Sequence, residues 1–301
     1  MAIQICGSLA FDTIMDFPGR FADQILPDQL HILNVSFLVP SLKREYGGCA
    51  GNIAYTLQQL GARAVPVATV GSDGATYIER FRSLGIDTAH VRVDATAYTA
   101  LAMIMTDRDN NQITAFHPGA MAQAHHNPLN PAANVRLGIV SPDGREAMLT
   151  HAREFAQAGI PFVFDPGQGL PMFNGDELLA LVDQATWVTV NDYEGRMLCD
   201  RTGLSLAELS RRVQGLVVTL AEQGCDVWID GVAERVPGVA ADAVVDPTGC
   251  GDAFRAALLA GLEKGWPLAR CAAWGNRVGA RKIACKGGQN HDVSDWAKEF
   301  Q

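Results

Sequence analysis

Basic residues are in short supply in this 301-residue chain. Lys and Arg total 24 against 33 Asp and Glu, the net charge is −9, and charged residues make up only 19% of the whole. So little positive charge argues against a broad nucleic-acid or acidic-membrane face, so neither partner is expected. It leaves room for an anionic ligand held by backbone N–H groups and a metal ion. No apolar run approaches the roughly 20 residues needed to span a bilayer. The opening MAIQICGSLAFD lacks a basic leader and a cleavage signal and reads as a strand, so a cytoplasmic protein is expected. No C-x-x-C occurs among the seven cysteines, Cys6, Cys49, Cys199, Cys225, Cys250, Cys271 and Cys285. Reduced thiols are expected rather than a disulfide framework or a zinc site. His125 and His126 are the one histidine pair, and neighbours in regular structure point apart, which disfavours a metal site.

Hydrophobic residues supply 48% of the chain, enough for a substantial core. Repeats, low-complexity tracts and long linkers are missing, and residues 1–301 read as a single domain. Strand-like segments at 2–7, 62–71, 135–141, 160–166, 186–191 and 215–224 alternate with helix-like ones at 50–61, 74–84, 143–159, 175–183 and 192–199. Two helices, roughly 250–264 and 267–285, close the series. Short apolar strands alternating with helices predict an α/β fold whose mostly parallel sheet is covered on both faces. Two segments break the alternation. Residues 11–46 carry Pro18, Pro27 and Pro40 with little helical pattern, and 97–117 contain two β-like runs around DRDNNQ, a hairpin signal. These read as strands outside the main sheet, either a small β lid or a pair of sheet-edge excursions.

DPTGCGDAFRAALLAGL, starting at Asp246, places glycines and an aspartate at the mouth of a buried helix, after a strand-like VVDP. A helix N-terminus offers unpaired N–H groups and partial positive charge, and glycines let a ligand approach the backbone. That combination suits phosphate. Asp252 repels an anion, so it is either a helix cap or a base that takes a proton from an attacking hydroxyl. A P-loop and a dinucleotide fingerprint are both lacking: no lysine follows the glycines, and YGGCAGN has the wrong spacing.

DPTGCGDAF resembles the D-x-T-G-A-G-D signature of the ribokinase-like (PfkB) carbohydrate kinases. YGGCAGNIAYTLQQLGARAVPVATVGSDG is similar to that family's N-terminal signature, and VNDYE at 190–194 to its N-x-x-E motif. The three occur in the family's order, and the resemblance covers essentially the whole chain. It implies a three-layer α/β/α kinase with a small β-sheet lid built from about 11–46 and 97–117. It further implies ATP and Mg²⁺, with K⁺ as a candidate activator. By the same resemblance Gly249, Cys250 and Gly251 form an anion hole and Asp252 is the base. Asp12, Gly48 and Asn52 hold sugar hydroxyls. Asn191 and Glu194 orient Mg²⁺ through water, Thr219, Gly224, Thr248 and Asn276 line the nucleotide, and Asp246 with Thr248 borders a monovalent cation.

Each motif also has a plainer reading. Asn191-x-x-Glu194 is a capping box, Gly47-Gly48 a turn, and Asn276 a polar spot on a helix. The chain departs from the family at Cys250, where alanine is usual, and at Ala221, where glycine is usual. DPGQGLP also lacks the asparagine and arginine many sugar kinases carry there. DPGQ and AFHPGAM resemble the microbial nucleoside (adenosine) kinases of the family. Phe116 and His117 are then candidate contacts to a flat base, with Met103 or Met105 as adaptable apolar surface. Their alternative is lid core for Phe116 and solvent for His117. The expected reaction is transfer of the γ-phosphoryl of ATP to the 5′-hydroxyl of a nucleoside, adenosine first. A sugar kinase and a non-catalytic nucleoside-binding protein are the rivals. Apolar Phe37, Leu38 and Val39 leave a lid-mediated homodimer open.

Overall fold

A computed structural model describes residues 2–25, 31–32, 34–129 and 135–300. Residues 26–30 and 33 of the first predicted lid segment, Pro27 among them, lie outside the described residues.

The chain runs β1 (Ala2–Cys6), β2 (Ala10–Asp16), β3 (Ser41–Gly47), α1 (Cys49–Gln59), β4 (Arg63–Gly71), α2 (Ala75–Ser83) and β5 (Val91–Asp94). It continues through β6 (Ala100–Thr106), β7 (Gln112–His117), β8 (Val135–Val140), α3 (Arg145–Ala158), β9 (Phe162–Phe164), α4 (Gly175–Gln184) and β10 (Trp187–Asn191). Then come α5 (Asp192–Thr202), α6 (Leu206–Ser210), β11 (Gly215–Thr219), β12 (Gly224–Ile229), β13 (Val232–Pro237), α7 (Cys250–Glu263) and α8 (Leu268–Lys282).

Nine strands form one sheet in the order β13-β12-β11-β10-β9-β8-β1-β4-β5. It is parallel except for the β11–β12 and β12–β13 pairs. β1 is buried along its whole length because both faces are covered. Ile3 and Ile5 face a core shared with α1, α2, α7 and α8. Cys6, Val67 and Val140 face a second core with α3, α4 and α5. This is the expected helix–sheet–helix layering. The parallel strands β8 to β11 end along one edge, the side on which such sheets bind ligands.

β3, β2, β6 and β7 form a second, four-stranded sheet. β2–β3 and β6–β7 are antiparallel, β2–β6 parallel. The hairpin read from DRDNNQ is present, with Asp107 accepting the N–H groups of Asp109 and Asn111. Phe11 and Tyr46 anchor the sheet on Tyr77, with ring centroids 5.5 and 5.1 Å from it. The guanidinium of Arg44 lies over the Phe11 ring, 3.7 Å from its centroid. Beyond this root the sheet is thinly covered, and Leu42, Met103, Ile113 and Phe116 are exposed.

Three local readings need correction. The strand-like VVDP is not a strand: Val244 is exposed, and the N–H groups of Val245 and Asp246 both bond the Ile283 carbonyl. α8 stops at Lys282, short of 285, and a further 3₁₀ turn at Ser294–Phe300 follows it. The strand pattern read to 224 continues as the β12–β13 hairpin, whose turn, Asp230-Gly231, has φ of +47° and +82° and carries the sequence such turns favour.

Ala221, the residue standing where the resemblance expects glycine, has φ +51°. An L-residue there costs about 1–2 kcal/mol, less the 0.4–1 kcal/mol that alanine gains by restricting the unfolded chain. Ala221→Gly is therefore expected to stabilise the protein by about 0.5–1 kcal/mol. Urea midpoints check this, and a lower midpoint in the variant would show the φ value carries no strain.

Candidate active site

The N-terminus of α7 has no side-chain cap, an arrangement that suits an anion. Gly249 caps it in the left-handed region, φ +76°. Gly251 and Asp252 follow in the first turn, and their N–H groups have no hydrogen-bond partner among the described residues. Cys250 differs from its predicted place among the anion donors, because its N–H bonds the Pro247 carbonyl at 3.1 Å. A Cβ on Gly249 would stand 3.0 Å from Gly288 Cα, so this turn and the 287–288 loop approach closely.

α1 meets α7 here. Gly48 caps α1 at φ +86°, and a Cβ would lie 2.5 Å from the Ser8 carbonyl oxygen. Its glycine is thus demanded by the backbone approach of the β1–β2 turn. Asn52, in the first turn of α1 and buried, donates from Nδ2 to Asp252 Oδ2 at 2.8 Å. Its Oδ1 accepts from Gln289 Nε2 at 3.3 Å, which also donates to the Tyr77 hydroxyl at 2.7 Å. Tyr77 in turn donates to the Gly47 carbonyl at 2.6 Å, and Arg80 bonds the Gln289 carbonyl at 2.8 Å. The candidate base is therefore held by a buried chain of neutral amides and a phenol. Burial pushes the Asp252 carboxyl above its usual range, and the Asn52 hydrogen bond and the Arg255 charge pull it back.

Beside Asp252 opens a cavity of about 960 Å³, ample for a nucleotide. Its lining brings together eight predicted residues: Asn191, Glu194, Thr219, Gly224, Cys250, Gly251, Asp252 and Asn276. Asn191 and Glu194 do form the capping box, with reciprocal bonds of 2.8 Å. That plainer reading does not displace the other, since both residues face the cavity. Gly224 has φ +96°, and a Cβ there would stand 2.2 Å from the Val236 carbonyl oxygen. Asn276 Nδ2 is committed to the Val236 and Pro237 carbonyls at 3.3 and 3.0 Å. Its amide oxygen remains to meet a ligand. Thr248, by contrast, is exposed outside the lining and donates its N–H to Asp246.

The second sheet divides its candidates between two faces. Register sets Asp12 in one row with Glu45, Ala102 and Phe116. Met103 pairs with Thr13, and His117 with Leu101 and so with Phe11, in the alternate rows. Side chains one residue apart on a strand point to opposite faces. Phe116 therefore shares the Asp12 face, toward the anion site, whereas Met103 and His117 lie on the other. The joint expectation for Phe116, His117 and Met103 is corrected accordingly. The period of two would have exposed the conflict in the sequence itself.

The description "pfkB family carbohydrate kinase" matches residues 13–296. The chain belongs to this family. Its chemistry is phosphoryl transfer to an alcohol acceptor. A nucleoside kinase of Methanocaldococcus jannaschii is 30% identical over 268 residues, 88% of this chain and 87% of the relative. A Burkholderia thailandensis nucleoside kinase solved in complex with inosine is 48% identical, with a TM-score of 0.88 over 99% of this chain and 96% of that one. The same protein in complex with ADP-inosine gives 49% and 0.85 over 99% and 94%. A Thermotoga maritima ribokinase shares the fold at 19% identity, with a TM-score of 0.81 over 99% of this chain and 98% of that one.

Two cations of this pfkB kinase carry no family signature in the sequence and were missed. Arg255, one helical turn beyond Asp252, is buried and ion-paired with Asp165 of the DPGQ segment, Nη2 donating to Oδ1 at 2.7 Å. Glu194 lies 3.8 Å away. Burial opposes the guanidinium's charge, but Asp165 and Glu194 outweigh it and hold the group above its ordinary range. The arginine lacking after DP is thus supplied from α7, against the same aspartate. The second is Lys282, whose Nζ donates to the Asp246 carbonyl at 2.8 Å and the Cys285 carbonyl at 3.1 Å. This ammonium bonds the main chain of Asp246, beside which the resemblance implies a monovalent cation.

Mg²⁺ fits as a water-held ion. Among the described residues there is no cluster of three or more ligating side chains. Magnesium keeps waters and substrate phosphates in its shell, so one carboxylate such as Glu194 is enough.

Asp12 stands among like charges. Burial first, then Asp252, Asp246 and Glu45, push its carboxyl up to about 6. A folded pKa above the unfolded value near 3.9 favours folding only while the group is protonated. That contribution is complete below about pH 4 and lost as pH climbs through about 6. Asp12→Asn is expected to stabilise the ligand-free protein by on the order of 1 kcal/mol at about pH 7.5, the gain vanishing near pH 4. Urea midpoints at the two pH values decide it. No gain at the higher pH would mean that Asp12 is not under electrostatic strain.

Proposed function

We propose that this chain is an ATP-dependent nucleoside kinase transferring the γ-phosphoryl group to the 5′-hydroxyl, with adenosine and inosine the first acceptors to test. The observation that carries the proposal is the Asn52–Asp252 pair at the open N-terminus of α7, at the rim of a nucleotide-sized cavity. The nucleoside kinases of two organisms matching almost the whole chain support the acceptor class. Phe116, 52% exposed on the Asp12 face, supports a flat base over a bare sugar.

In this reading Asp252 takes the hydroxyl proton, and Asn52 orients it so that its Oδ1 is left for the acceptor. Asp12 and the Gly48 turn face the ribose, and the second sheet excludes water over it. The free N–H groups of Gly249, Gly251 and Asp252 stabilise charge on the transferring group. Arg255, fixed by Asp165, adds a charge that needs no reorganisation. Thr219, Gly224 and Asn276 border the nucleotide. Mg²⁺ bound to its phosphates would neutralise developing charge, with Asn191 and Glu194 holding its waters. The seven free thiols suit a reducing cytoplasm. The exposed outer face of the second sheet, Leu42, Met103 and Ile113, suits a homodimer formed through it. No helix among the described residues is long and apolar enough to cross a bilayer.

ATP consumption with Mg²⁺ over nucleosides, ribose and fructose tests the proposal. Turnover is expected on nucleosides and is expected to fall at least about 10²-fold in Asp252→Asn with the fold intact. Turnover on free sugars alone would replace the acceptor class. A near-normal rate in the variant would remove Asp252 from the chemistry. Binding of nucleoside without ATP consumption would favour a non-catalytic binding protein.

A further inference from the structure

Lys282 is the last residue of α8, and its side chain is wholly buried. A buried lysine is rare because an ammonium withdrawn from water needs compensation. Here the compensation is backbone oxygen, the Asp246 carbonyl at 2.8 Å and the Cys285 carbonyl at 3.1 Å. Those carbonyls belong to two loops bound to one another. Val245 and Asp246 N–H groups bond the Ile283 carbonyl, and Asp246 Oδ2 accepts from Gly287 N–H at 2.7 Å. Asp246 Oδ1 accepts from Thr248 N–H at 2.9 Å. The first loop feeds directly into Gly249 and the N–H groups of α7. The second carries Gly288 and Gln289, the neighbours of Asn52.

The ammonium is thus a monovalent cation coordinated by main-chain oxygens, beneath the turn that shapes the anion site. A potassium ion bound to the same carbonyls would need the space Nζ occupies and would meet a like charge at contact. We propose that Lys282 is a built-in monovalent cation that fixes the Asp246–Gly249 turn and makes this kinase independent of added K⁺. The catalytic half of this proposal rests on the kinase reading above; the occupancy of the cation position does not. Lys282 is a positioning residue, acting through the turn and touching neither substrate.

The test compares choline chloride, NaCl and KCl at one ionic strength, reading both nucleoside phosphorylation and thermal melting. The wild-type rate and melting temperature are expected to agree across the three salts within about twofold and about 1 °C. Lys282→Ala is expected to lose on the order of tenfold in kcat with little change in the KM for nucleoside. KCl, and not choline, is expected to restore much of the rate and raise the variant's melting temperature, a rescue that lost packing alone would not give. Several-fold stimulation of the wild type by KCl, or a K⁺-selective rise in its melting temperature, would overturn the proposal. So would a variant equally active in all three salts. Should Lys282→Ala not fold, Lys282→Gln is read in the same way, and the wild-type series decides without either. If no acceptor is phosphorylated, the kinase reading fails, and the melts alone decide whether Lys282 holds the cation position.

Discussion

One hydrogen bond organises the site: Asn52 to Asp252, 2.8 Å, between residues 200 apart in sequence. It requires the N-termini of α1 and α7 to face each other at the carboxyl edge of the sheet. Both caps are glycines at positive φ, Gly48 because the β1–β2 turn crowds it and Gly249 because Gly288 and Asn52 do. The loop carrying Gly288 and Gln289 then closes against them from the C-terminal side. Loosening any of the three would move the candidate base relative to the N–H groups proposed to receive the phosphoryl, and catalytic geometry tolerates little such movement.

Electrostatics explains why these elements are worth crowding together. Asp12 is raised first by its burial and then by the charges of Asp252, Asp246 and Glu45. Left alone, such a cluster would repel a polyphosphate. Arg255 in the cavity lining and Lys282 beneath the turn set fixed positive charge against it, with the helix dipole of α7 between them. Both cations are buried, so neither is a mobile surface side chain. The net charge of the chain is therefore a poor guide to this site, which is acidic in count and receptive to anions in geometry.

Much of this was legible before the structure. Alternation of short apolar runs with helices sets the layers, and the glycine-rich start of α7 with its aspartate marks the candidate anion site. What escaped were single side chains drawn from distant segments: Arg255, Gln289, Tyr77 and Lys282 have no partner at a diagnostic spacing, because the partner is made by the fold. Lys282 reads as an ordinary basic residue in the last turn of a helix, and only its burial reveals otherwise. The Asp230-Gly231 hairpin and the opposed faces of Phe116 and His117 are different. Their signals, a turn dipeptide and a period of two, were present in the sequence.

The most direct measurement is the pH dependence of kcat/KM on a nucleoside, for the wild type and Asn52→Ala. Removing the Asn52 bond takes away a favourable contact to the ionised Asp252, so the base should titrate higher. The account requires the acid limb of the profile to move to higher pH in the variant, whatever the loss in rate. An acid limb left in place would mean that Asn52 does not tune Asp252, or that Asp252 is not the group whose ionisation the reaction needs.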